Sequence, residues 1–183
     1  MNVSRKAFIG ILLLVLLIFG TSTTLAQNVS IIEGQSIAGA SLGMTRQQVS
    51  SAIGNKAYTY GGYDVHYDYA GRGGAIFVRY SGGSVSELIA KPMTWAPSAF
   101  YTGTGIHTGG EGSYQVLPST PAEIAAAYPG IQLTVDNPGA GAKQIKRQYR
   151  LGDGTLFTYR MINFFCGYTC SNLVETLEIS LGG

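Results

Sequence analysis

The alternation of apolar and polar positions marks two short helices and a series of strands. The chain reads Thr45-Arg46-Gln47-Gln48-Val49-Ser50-Ser51-Ala52-Ile53-Gly54. Val49, Ala52 and Ile53 are spaced to form one helical stripe. Thr45 stands three residues before Gln48, the spacing at which hydroxyl and amide side chains satisfy unpaired backbone N–H groups. Gly54 suits the left-handed position that ends many helices. The same offsets recur from Thr120 to Gly130, where Glu123 takes the place of Gln48, and Pro121 stands at the first helical position. The recurrence reads as an internal repeat.

Between and after these helices the pattern changes to that of strands. Val29-Ser30-Ile31-Ile32 reads as a short leading strand, and Tyr58 and Tyr60 suggest another. Val65 to Tyr69, Ala75 to Tyr80 and Val85 to Ala90 are β-branched or aromatic runs separated by glycine turns. Gln144 to Arg150, Thr155 to Arg160 and Val174 to Ile179 repeat the plan, with Phe77 opposite Phe157. Such tight spacing permits only hairpins, so the sheet is antiparallel. The expected fold is α+β, a tandem repeat with a short helix packed on one face of an antiparallel sheet in each copy. The expected division is 27–91 for the first copy and 98–183 for the second, with 92–97 as a linker bracketed by Pro92 and Pro97. Helices on one face leave the other free. Trp95, in the linker, is expected to fold back over the core.

Residues 1–26 change the picture of charge. Arg5 and Lys6 precede an apolar and glycine run from Ala7 to Gly20, and Thr24-Leu25-Ala26 offers small residues for cleavage. The run is shorter than the roughly 20 residues of a membrane span. It therefore reads as a secretory signal rather than an uncleaved anchor. The whole chain has 12 Lys and Arg against 10 Asp and Glu. Two of those cations leave with the signal, so the remainder is balanced and lacks the basic footprint of a nucleic-acid binder. No second long apolar run follows, so no stable membrane span is expected after cleavage. The protein is expected to be secreted or periplasmic and soluble.

Cys166 and Cys170 are the only cysteines. In an exported chain a disulfide is the natural expectation, with two free thiols as the alternative. A metal site would need two further ligands, and His66 and His107 are isolated in sequence. Twelve tyrosines stand in the chain. They suit a recognition surface, where a rigid amphipathic ring gives contact area at little entropic cost. They equally suit ordinary half-buried strand positions. Candidate partner contacts are Tyr67, Tyr69, Tyr149 and Tyr159, with Tyr168 in the cysteine loop.

Three further motifs are weaker. Gly39-Ala40-Ser41-Leu42-Gly43 matches the nucleophile elbow of hydrolases, but the helix starts at Thr45 rather than at the serine. Its glycines read as a flexed approach to the helix cap. Lys143 to Arg150 concentrates four cations, suited to a polyanion, an envelope surface or an acidic partner. It suits better a solvated strand whose charges discourage edge pairing. Asp64, His66 and Asp68 share one face of a strand, expected to be a polar solvent face rather than a weak metal site.

The stretch Ile37 to Val49, running on to Ile53-Gly54, resembles the signature of the SmpA/OmlA (BamE-like) superfamily: a Leu42-Gly43-Met44-Thr45 lead-in, a short helix with Val49 at its centre and a closing glycine. The hairpin from Phe77 to Val85 is similar to the strands that follow in that family. The resemblance covers Ile37 to Ala90, and Gly105 to Ile179 more loosely. Two copies in one exported chain resemble β-lactamase inhibitor proteins, which are tandem helix-on-sheet repeats. BamE-like members are lipid-anchored single repeats, whereas no cysteine follows the apolar run here. The function expected is a non-enzymatic, exported protein-binding module, inhibitor-like. The alternatives are an envelope structural or assembly protein and, behind both, a serine hydrolase through Ser41. The expected partner is another exported or envelope protein. No cofactor and no metal are expected.

Overall fold

A computed structural model describes residues 29–67, 74–93, 99–110, 116–137, 144–165 and 171–183. Residues 1–26, expected to be a signal, and Asp68, Tyr69, Trp95, Tyr168 and both cysteines lie outside the described residues. Two helices are described. Helix α1 is Arg46–Ile53, and its cap is the one its sequence spells: the Gln48 amide N–H donates to Thr45 Oγ1, and the Thr45 N–H donates to Gln48 Oε1. Helix α2 is Pro121–Ala127, closed in the same way by Thr120 and Glu123. Gly54 has a positive φ of 85° with an extended ψ of 176°, so it ends α1 without adopting the left-handed helical conformation.

The strands fall into two sheets. The larger holds β4 (Tyr58–Tyr60), β5 (Tyr63–Tyr67), β6 (Gly74–Ser81), β7 (Ser84–Pro92), β10 (Gln132–Asn137), β11 (Gln144–Arg150), β12 (Leu156–Phe165) and β13 (Ser171–Gly182). Their order is β10-β11-β12-β13-β7-β6-β5-β4, antiparallel throughout, and β9 (Gly109–Gly110) adds to β13 beside it. The smaller sheet has the order β3-β2-β1-β8, formed by β1 (Val29–Ile32), β2 (Ser36–Ile37), β3 (Ala40–Ser41) and β8 (Tyr101–Thr102).

This corrects the expected fold class. The chain is mostly β, with two helices of 8 and 7 residues, and it is not a tandem α+β repeat of helix-on-sheet units. The joins explain why. Strands β7 and β13 pair directly, Ile179 with Ala90 and Leu181 with Leu88, so the hairpins before and after Pro92 share one continuous sheet. Strand β1 pairs in parallel with β8, so the small sheet also draws on both parts of the chain. The Gly34 N–H donates to Thr155 Oγ1 at 2.8 Å, and the Tyr128 hydroxyl donates to Glu33 Oε1 at 2.5 Å, adding further ties between distant segments.

The core lies on one side of the large sheet. Register places Ile76, Val78, Leu88, Ala90, Leu181, Ile179, Leu177, Phe157, Tyr159 and Tyr149 on a common face. All belong to one buried cluster with Val49 of α1, Ile124 of α2 and Ile31, Ile37 and Ala40 of the small sheet. Of the expected α1 stripe, Val49 is fully buried, Ile53 packs at the margin and Ala52 is exposed. Phe100 also enters this layer, and Gly74 admits it: a Cβ there would meet Lys91 O and stand 2.8 Å from Phe100 Cε2. Among the described residues the opposite face of the large sheet carries no member of that cluster, although Val65 and Ala75 on it are fully buried. No helix among the described residues is long and apolar enough to cross a membrane.

Candidate functional site

The face turned away from the core is read from the same registers. Val65 pairs with Phe77, Phe77 with Ile89, Ile89 with Ser180, Ser180 with Leu156 and Leu156 with Arg150. Tyr67, Ala75 and Lys91 form a parallel row, as do Gln148, Thr158 and Glu178. Tyr60 pairs with Tyr63 and Tyr58 with Val65, which carries the aromatic end out to the sheet edge. Tyr60 is 68% exposed and Tyr58 42%.

Two ion-pair systems hold the rings of this face. The Tyr63 hydroxyl donates to Glu87 Oε2 at 2.7 Å, and Arg79 Nη1 lies 3.3 Å from the same oxygen. The Arg79 guanidinium also stands over the Tyr63 ring, 4.2 Å from its centroid. Tyr63 meets Phe77 edge-on at 6.1 Å, and the Lys91 ammonium lies 4.7 Å from the Phe77 centroid. Lys91 Nζ pairs with Glu178 Oε1 at 3.4 Å, and Arg160 Nη2 approaches the other oxygen at 3.9 Å. Burial, then the Glu87 hydrogen bond and charge, push the Tyr63 hydroxyl up to about 12. Tyr67 contacts Tyr58 with ring centroids 5.9 Å apart, and its hydroxyl is pushed up first by its hydrogen bond with Tyr58. Cations over aromatic faces contribute up to about 1 kcal/mol each at exposed sites, and more importantly fix the rings before any partner arrives.

The nominated tyrosines divide. Tyr67 stands on this open face, half-buried. Tyr149 and Tyr159 stand on the core face, 8% and 4% exposed, within the cluster that Ile124 closes. Their placement as outward contacts is corrected: the register pairs them with Phe157 and Leu177 of the core. Tyr69, Tyr168 and the Cys166–Cys170 loop lie outside the described residues. Sequence reasoning missed Tyr63, Phe77, Arg79, Glu87, Lys91, Arg160 and Glu178. Their signal was present in the odd-numbered alternation Phe77-Arg79 and Glu87-Ile89-Lys91, which puts opposite charges across one hairpin.

A second polar cluster sits on the other face, at the β5 margin. Asp64 and His66 are 5% and 2% exposed, so the expected solvent face is instead covered by the α1 side of the molecule. Asp64 Oδ2 pairs with Arg46 Nε at 3.2 Å, while Oδ1 meets Lys56 Nζ at 3.1 Å and the Thr59 hydroxyl at 3.2 Å. Burial alone raises the Asp64 carboxyl, but the Lys56 hydrogen bond and the two cations outweigh it and hold the group below its usual range. The Gly54 carbonyl can only accept, so His66 Nδ1 donates to it, at 2.9 Å. Burial lowers the His66 pKa against the opposing pull of that hydrogen bond and of Asp64. A recess of about 290 Å³ lies here, lined by Arg46, Ser50, Asn55, Lys56, Asp64, His66 and Tyr80. Two cations already neutralise the only carboxylate, so the donor set is poorly matched to a metal ion. Among the described residues no group of three or more His, Cys, Asp or Glu side chains gathers to hold one.

Ser41 lies in β3 of the small sheet, and its N–H is directed at Met44 Sδ. The two histidines are engaged elsewhere, His66 with Gly54 O and His107 with Thr108 O. Ser41 is paired with Ser36 within the small sheet and α1 begins only at Arg46, so the serine does not sit at the strand-to-helix turn that a nucleophile elbow requires. The cations of β11 separate by face: Lys146 and Arg150 look outward, and Arg147 pairs with Asp136 at 3.2 Å on the other side. The chain matches no family model, and comparison with curated proteins and with solved structures finds no similar protein.

Proposed function

We propose that the protein is an exported, non-enzymatic protein-binding module that captures another exported or envelope protein on the open face of its large sheet. The observation that carries this is the aromatic end of that face. Tyr63, Phe77 and Tyr67 lie beside the exposed Tyr58 and Tyr60, held by Arg79, Glu87 and Lys91. Rings fixed in advance lose little entropy on contact, and clusters of this kind supply most of the affinity of a protein interface. The inhibitor-like expectation drawn from the sequence fits this reading, with the sheet face as the contact surface.

The experiment is affinity capture with the mature chain from its native culture, comparing Phe77→Ala and Tyr63→Ala with Gln47→Ala on the exposed side of α1. Loss of a central aromatic contact costs capture roughly tenfold or more. The α1 change leaves capture intact. Equal capture by all three variants would refute the assignment of the face.

A further inference from the structure

Charge is unevenly distributed over the open face. Outward-facing cations among the described residues are Arg79, Lys91, Lys146, Arg150 and Arg160, against the carboxylates Glu87 and Glu178. Arg79 is matched by Glu87, and Lys91 by Glu178. The excess therefore gathers on β11 and β12. Lys146 and Arg160 stand directly opposite each other in the register, a cross-strand arrangement in which like charges repel. Among the described residues Arg160 reaches a shared carboxylate at 3.9 Å, and its buried Nε has no hydrogen-bond partner there. By contrast, Arg147, between them in sequence but on the opposite face, has its own partner in Asp136.

From this we infer, resting on the binding role proposed above, that the β11–β12 end of the open face receives carboxylates of an acidic segment of the protein partner. The same partner sets apolar side chains on the aromatic end at β4–β6. Carboxylates placed between Lys146 and Arg160 relieve their repulsion and give the exposed part of the Arg160 guanidinium a closer acceptor than the Glu178 oxygen 3.9 Å away. A protein surface fits better than a phosphate polymer or an anionic bilayer. Glu87 and Glu178 neutralise Arg79 and Lys91, so the aromatic end offers no excess positive charge to a continuous sheet or string of negative charge laid across the face. A protein can place acids over one end and apolar groups over the other.

The test is amide-shift mapping of the isotopically labelled mature chain with a short peptide of alternating Glu and Leu, at low and at physiological salt. The controls are its Gln-for-Glu counterpart, phosphatidylserine vesicles and a single-stranded oligonucleotide. The Glu peptide should perturb β11 and β12 and weaken with salt. Lys146→Gln and Arg160→Lys should each loosen it by roughly threefold, and Arg147→Gln should have no effect. Equal binding of the Gln peptide, absence of shifts on β11–β12, or preference for vesicles or oligonucleotide would overturn the inference. If the Glu peptide fails while Phe77→Ala still abolishes partner capture, the acidic contact is wrong and the binding face stands. If Phe77→Ala also leaves capture unchanged, both fall.

Discussion

The Tyr63 hydroxyl donates a 2.7 Å hydrogen bond to Glu87 Oε2, joining β5 to β7 across the intervening β6. Burial, together with this bond, pushes the phenol up to about 12. An unfolded tyrosine ionises near pH 10. The stabilising contribution is thus complete below about pH 10 and is lost as pH rises toward 12. Glu87→Gln should bring the Tyr63 titration back toward the ordinary value, measured by the ultraviolet absorbance of phenolate. An unchanged Tyr63 titration would mean the bond does not form in solution.

His66 and Asp64 predict the acid side of the stability curve. His66 is buried and its pKa is lowered, so between its folded value and the unfolded value of about 6.5 the unfolded chain binds the extra proton. Stability is full above about pH 6.5 and falls as pH drops through the folded value. Asp64, held low by Lys56 and Arg46, adds a second loss below about pH 4. Urea midpoints measured from neutral to acid pH should show both phases, and His66→Gln should flatten the first. A wild-type midpoint that stays flat to pH 5 would contradict the burial of His66.

Phe157 and Phe77 should respond differently to truncation. Phe157 is fully buried between the sheet and the helix layer, so Phe157→Ala should cost about 3–5 kcal/mol. Phe77 is half-buried on the open face, and its truncation should cost less stability while reducing partner capture. Chemical denaturation of the two variants, with capture measured in parallel, separates a core role from a surface one.

Each cap should matter to a similar degree. Thr45→Ala and Thr120→Ala each remove the hydroxyl that accepts from the third helical residue, at a cost of about 1 kcal/mol. Gly74→Ala should be worse than either, because the new methyl would collide with the Lys91 carbonyl. Thermal melts of the three variants check the order.

The two capping boxes were legible because all their chemistry is local: Thr45 with Gln48, and Thr120 with Glu123. The hairpins of β5–β7 and β11–β13 were legible from alternation and glycine turns. What the sequence hid was long-range. The alignment of Phe77 with Phe157 was one residue off: Ile76 pairs with Ala90 and Phe157 with Ile179 on the core face, so Phe77 faces outward. A slip of one residue inverts every side chain of a strand. The core placement of Tyr149 and Tyr159 was not legible for a different reason: hydroxyl-bearing rings give no local sign of which face is covered. Asp64 and His66 read as a solvent face in the sequence because their partners Arg46, Lys56 and Gly54 belong to the α1 segment rather than to the strand. The two-residue strands β2, β3, β8 and β9 are too short to show a period, and β10 was hidden by its exposed, mostly polar side chains.

The most direct test of the open face as the binding surface is site-specific photocrosslinking. A photoreactive residue is placed at Ile89 or Tyr67 on that face, and at Gln47 on α1 as the control. The protein is then illuminated in its native culture and its adducts are identified. The account predicts one discrete protein adduct from Ile89 and Tyr67 and none from Gln47. An adduct formed from Gln47 while both open-face positions stay unreacted would contradict it.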